Sequence, residues 1–171
     1  MSVTRDIVEA YRAPRRVMAR QLAAGVGEER ALAYVMTACF LMFVARLPLL
    51  SRQAHIRPED GEFSTLAGGA FLGAVLMAPL VFYALAALSH AVAKAFGGQG
   101  TWLSARLALF WSLLVICPLM LFHGLVAGFI GEGPALTLVN VGVGVVFLWL
   151  WISALRVAEA GSPLAPDATV G

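Results

Sequence analysis

The sequence predicts an all-α fold: a polytopic membrane protein with four transmembrane helices, preceded by a basic amphipathic helix at the membrane interface. Three observations carry that prediction. Hydrophobic residues make up 60% of the 171 residues and charged ones only 13%, against about 25% charged in an average soluble domain. The charges cluster, which leaves apolar runs near the ~20 residues that cross ~30 Å of hydrocarbon. Between those runs stand a polar loop, a glycine-rich turn and a short Gly/Pro turn, all signals that end helices.

In residues 1–30, Ile7, Tyr11, Pro14, Met18 and Leu22 recur at helical spacing on one face. Arg5, Arg12, Arg15, Arg16 and Arg20 occupy much of the remainder. Pro14 predicts a break or kink near Ala13. A basic amphipathic helix beside a membrane span reads as lying on an anionic leaflet, each Arg contributing roughly 1 kcal/mol. Packing on the protein's own surface is the alternative. The first apolar run begins too late for a cleaved secretory signal.

The first span is expected at 31–50, with Arg46 snorkelling to the interface and Pro48 helping to end the helix. The loop Ser51–Ser64 holds His55 among charged residues, without the second His or Cys a metal site needs. A second span, 65–93, lies in an apolar segment reaching Ala95 and carries a kink at Pro79. Its Gly69 and Gly73 form a GxxxG pair, read as a helix-packing face. His90 and Lys94 mark the interface at its end. The third span, 103–130, has a proline kink at Pro118, a second GxxxG pair at Gly124 and Gly128, and His123 at depth. His123 reads as a packed, hydrogen-bonded neutral side chain rather than a proton relay. The fourth span, 135–157, follows the turn Gly131–Pro134, and its Asn140 is expected to hydrogen-bond across helices. Residues 158–171 lack apolar periodicity and read as a disordered cytoplasmic tail. A fifth crossing at the Pro118 break is the alternative topology, but neither half of that segment comfortably spans.

With four spans, Arg5, Arg12, Arg15, Arg16, Arg20, Arg30, Lys94, Arg106 and Arg156 fall on one side, and Arg46, Arg52 and Arg57 on the other. The positive-inside rule then puts both termini in the cytoplasm. A single lysine beside eleven arginines, in an alanine-rich chain, suggests a high-GC bacterium and thus a bacterial inner membrane. The formal charge of +2 is too small to suggest nucleic acid. Cys39 and Cys117 both lie in apolar runs with no CxxC or Cys/His spacing, and read as small apolar fillers.

The glycine turn GGQGTW invites a phosphate-loop reading, since backbone N–H groups in such loops cradle anions. It lacks the GxxxxGK[ST] pattern and the lysine. A helix break accounts for it better: Gly97 or Gly98 ends the second segment in a left-handed conformation, and Thr101 caps the third. No HExxH, GxSxG or intramembrane catalytic pair is present, so no enzyme activity, metal or cofactor is expected.

With its basic N-terminal helix, the stretch Gly97–Pro118, GGQGTWLSARLALFWSLLVICP, resembles the Yip (Ypt-interacting protein) family of multi-pass membrane proteins, bacterial branch. The resemblance rests on Gly97, Gly98, Gly100, Thr101, Trp102 and Pro118. Family members commonly have five spans. Eukaryotic relatives associate with Rab-type GTPases and shape or sort membranes. For a bacterial chain the resemblance implies a membrane-organising scaffold with protein partners or self-association. An accessory or assembly subunit of a larger membrane complex is the second reading. A small oligomeric transporter built on His123, Asn140 and the proline kinks is the third.

Overall fold

A computed structural model describes residues 3–131 and 133–160, with the side chain of Asp60 outside the description. The described chain is helical throughout, with four helical stretches long and apolar enough to cross a membrane. Two short helices come first, α1 (Val3–Ala10) and α2 (Pro14–Ala23). The first long helix is α3 (Glu28–Ile56). The second is α4 (Phe63–Leu72) continued through a π-helical turn, Gly73–Met77, into α5 (Ala78–Ala95). The third and fourth are α6 (Trp102–Phe129) and α7 (Pro134–Glu159).

Helix α6 is the axis. It is apolar around its whole circumference, the pattern of a helix enclosed by others, and Ala105 and Leu107–Cys117 are buried. Helices α3, α5 and α7 pack around it. We call the end of the bundle holding Glu28 and Glu159 proximal, and the other end distal. Helix α7 turns Leu138, Val141, Val145, Leu148, Trp149 and Ile152 outward, a surface suited to lipid. The chain is a helical membrane protein.

The prolines act less abruptly than the sequence suggests. Pro79 follows directly on the π-helical turn, which absorbs the hydrogen bond that proline removes. Pro48 does not end α3. The helix runs through it to Ile56, 29 residues in all, or about 43 Å. Most of the predicted 51–64 loop is therefore helix, with a 3-10 turn at Pro58–Asp60. Pro118 also lies inside a continuous α6, as membrane helices tolerate when neighbours stabilise the freed backbone.

The N-terminal region is a helical hairpin broken at Tyr11–Ala13. Its apolar stripe is covered by protein: Ala10, Val17 and Met18 are buried in the common core, and the Tyr11 hydroxyl donates to the carbonyl of Val115 halfway along α6. Arg20 leaves the basic face to join the two arms, 2.6 Å from Asp6 and 3.0 Å from Glu9. At the other terminus, the expected tail includes Ala158 and Glu159. They are instead the buried end of α7, because Glu159 has partners on the neighbouring helices. Residues 161–171 lie outside the described residues, as does Glu132 in the distal turn.

Candidate functional site: the glycine turn and a buried carboxylate

Helix α5 ends at Ala95, and the chain reverses through Gly97 at φ +88°, a conformation that strains any side chain. The Gly98 N–H returns to the Ala93 carbonyl at 2.9 Å and the Gly97 N–H to Lys94 at 3.0 Å, which satisfies the last carbonyls of α5. Thr101 then starts α6 with a reciprocal cap. Its hydroxyl accepts from the Ser104 N–H at 3.1 Å, and the Ser104 hydroxyl accepts from the Thr101 N–H at 2.9 Å.

Across this turn lies the end of α7. The Gln99 N–H donates to the Glu159 carbonyl at 2.9 Å, and the Gly100 N–H donates to Glu159 Oε2 at 3.1 Å. The other carboxylate oxygen, Oε1, is 2.7 Å from His90 Nδ1. Both side chains are buried, His90 at 1% exposed and Glu159 at 8%, so the pair joins α5 to α7 in a water-poor setting where such contacts are strong. The Trp102 ring covers His90, with centroids 4.5 Å apart. The Ser104 hydroxyl reaches the Ala158 carbonyl at 3.2 Å.

This arrangement explains the glycines. A Cβ at Gly98 would lie 2.7 Å from Glu159 Oε2 and 2.9 Å from the Ala93 carbonyl oxygen. One at Gly100 would overlap the Ala158 carbonyl and crowd the same carboxylate. The loop does receive an anion on a backbone N–H, but the anion is the chain's own Glu159. An apolar-walled cavity of about 530 Å³ lies alongside, with Leu22, Val26, Leu103 and Val157 in its wall and Gly100 and Thr101 at its polar edge.

The structure thus corrects the reading of His90 as an interface marker. Glu159, which sequence reasoning placed in a tail, is its partner. The two stand 69 positions apart, and the only available signal was a carboxylate directly after the last apolar run.

Other expected residues are placed elsewhere. Gly124 and Gly128 lie against α3, where a Cβ would overlap the backbone of Ala45 and crowd Pro48. Gly69 and Gly73 face open space, with nothing within 4 Å of an added Cβ. Among the described residues they pack no helix, because α4 turns that face away from the bundle. Asn140 is exposed on α7 and, among the described residues, makes no side-chain hydrogen bond, since no described helix covers that face. His123 is half-buried, and its Nε2 is enclosed without a partner among the described residues, so the expected hydrogen bond at that atom is not formed there. Arg52 donates to the carbonyls of Gly128 and Phe129, each at 3.3 Å, and closes the distal end of α6. Among the described residues no group of three His, Cys, Asp or Glu is placed to hold a metal.

Chemically, the glycine-turn site is a buried imidazole–carboxylate hydrogen bond that holds three helix ends together. Compared with known family models, curated proteins and solved structures, the chain matches none.

Proposed function

We propose that the protein is a non-enzymatic membrane scaffold of the Yip type. It sits in a bacterial inner membrane with both termini cytoplasmic and organises the membrane or associated proteins. One observation carries this reading: the polar groups of the glycine turn are spent internally. Both Glu159 oxygens, the Gly100 N–H and the Ser104 hydroxyl bind partners of the same chain, which suits a structural joint rather than a reaction centre. The proximal end carries the larger share of arginines, which supports its cytoplasmic placement against an anionic leaflet. Crosslinking in intact membranes, followed by mild detergent extraction, tests the proposal. Discrete crosslinked species containing the chain are expected. A protein recovered alone at every expression level would count decisively against it.

The open Gly69–Gly73 face favours a second reading, an accessory subunit whose α4 receives a helix of a larger complex. Co-migration with one stable complex on native gels is its signature.

A further inference from the structure

The hairpin tip gathers positive charge beside a cavity. A cavity of about 400 Å³ opens between the tip and α7, and Arg12, Arg15, Arg16, Trp149 and Ser153 line it. No carboxylate of the described residues stands in its wall. All three arginines are exposed, and among the described residues none of them forms an ion pair. Arg20, by contrast, is fully engaged with Asp6 and Glu9. Helix α2 also begins at this cavity, at Pro14, with no side-chain cap, so the positive end of its dipole adds to the same field.

The depth of the cavity is what identifies its occupant. Ser153 and Trp149 precede Glu159 by six and ten positions, about 9 and 15 Å along α7. On the same helix Leu148, Trp149 and Ile152 are exposed, so the cavity borders the lipid-facing surface rather than bulk water. The Tyr11 bond to Val115 fixes the tip at that level. Three unpaired guanidinium groups so far below the helix ends are costly unless an anion meets them. Forked guanidinium donors fit phosphate oxygens, and an indole beside them suits the headgroup layer.

We propose that this cavity binds the phosphate of an anionic membrane lipid and draws that headgroup below the level of its neighbours. The proposal deepens the leaflet contact suggested above and rests on it. Full-length protein in mild detergent is loaded with phosphatidylglycerol or phosphatidylcholine, and retained lipid is counted by native mass spectrometry. One phosphatidylglycerol per chain is expected to persist where phosphatidylcholine does not. The variant Arg12→Gln/Arg15→Gln/Arg16→Gln should weaken retention roughly tenfold or more, the scale of losing charge-assisted bonds. Arg57→Gln, at the distal end and outside the cavity, should change nothing.

A second measurement does not rely on the triple variant folding. Brominated phosphatidylglycerol should quench Trp149 fluorescence, taken as the difference between wild type and Trp149→Phe, more than brominated phosphatidylcholine does. Equal quenching by the two lipids, or full retention by the folded triple variant, would overturn the site while leaving a general leaflet contact intact. If wild type prefers no anionic lipid at all, the leaflet reading fails with it. Complete displacement by inorganic phosphate would assign the cavity to a soluble phosphate and overturn the lipid.

Discussion

At the proximal end of the bundle, helices are joined by polar groups: His90 to Glu159, Glu159 to Gly100, and Ser104 to Ala158. At the distal end, α6 is pressed onto α3 through Gly124 and Gly128, with Arg52 closing the helix end. Polar joints of the first kind can be undone one group at a time. Close backbone approach depends only on missing side chains, and it has no graded setting. The proximal end is therefore the one that single polar substitutions can loosen, while the distal end acts as the fixed clamp.

The largest expected effect tests the clamp. Gly124→Leu places a side chain into the backbone of Ala45, and α3 and α6 must separate to admit it. Overpacking typically costs about 1–3 kcal/mol and more when the obstacle is backbone, so this variant should fall at or beyond the top of that range. It would be lost from the folded fraction in a detergent thermal-aggregation assay. Gly69→Leu and Gly73→Leu, at the open pair, should stay within about 0.5 kcal/mol of wild type. Equal damage at both pairs would mean that the α4 face is packed in the membrane against another helix.

Next comes the proximal joint. Glu159→Ala leaves His90 buried without its partner, at about 3 kcal/mol, the lower end for breaking a buried pair. Replacing both, as His90→Phe/Glu159→Leu, should recover part of that loss, because no unpaired polar group then remains. Protease access to the Gly97–Gly100 turn, read on folded protein, separates the two outcomes. Increased cleavage is expected for Glu159→Ala. If the double variant proves as damaged as the single one, the pair's stabilisation does not arise from mutual satisfaction.

A smaller effect is expected at the cap of α6. Thr101→Ala removes the acceptor of the Ser104 N–H and should cost about 1 kcal/mol. Ser104→Ala should not add fully to it, since the two residues share one capping arrangement. Thermal stability of the two single variants and the double variant measures the coupling.

These contrasts also show what a linear chain can reveal. The four long apolar helices were legible because hydropathy is local and the bilayer imposes one length. The hairpin break was legible for the same reason, since Pro14 acts on its own backbone. The glycine turn was legible as a helix break, yet its reason for being glycine at positions 98 and 100 depends on Glu159, distant in sequence. The two GxxxG pairs are identical as text. Which one packs depends on whether that face of its helix meets a neighbour, and spacing alone does not encode this. Asn140 and His123 failed as expected bonding groups for the same reason: polarity within a span states a need, and only the packing shows whether a partner stands there.

The smallest effect concerns the hairpin arms at the proximal end, where the joint is an ion pair and not a buried hydrogen bond. The hydrogen bond from Arg20 holds the Glu9 carboxyl below its ordinary value of 4.5, helped by the charges of Arg20, Arg16 and Arg5. A depressed carboxylate stabilises the fold fully above its ordinary pKa and loses that contribution as pH falls through its lower folded value. The Glu9 side chain is 32% exposed, so screening keeps the effect small. Hydrogen exchange in α1 and α2, corrected for intrinsic rates, should accelerate as the pH drops through the acidic range below 4.5. The distal half of α6 should show no matching step, because its contact with α3 contains no titrating group of this kind. In Arg20→Gln the hairpin should already exchange faster at neutral pH and show a weaker acid step. An acid step of wild-type size in that variant would move the origin of the response away from the Arg20 clamp.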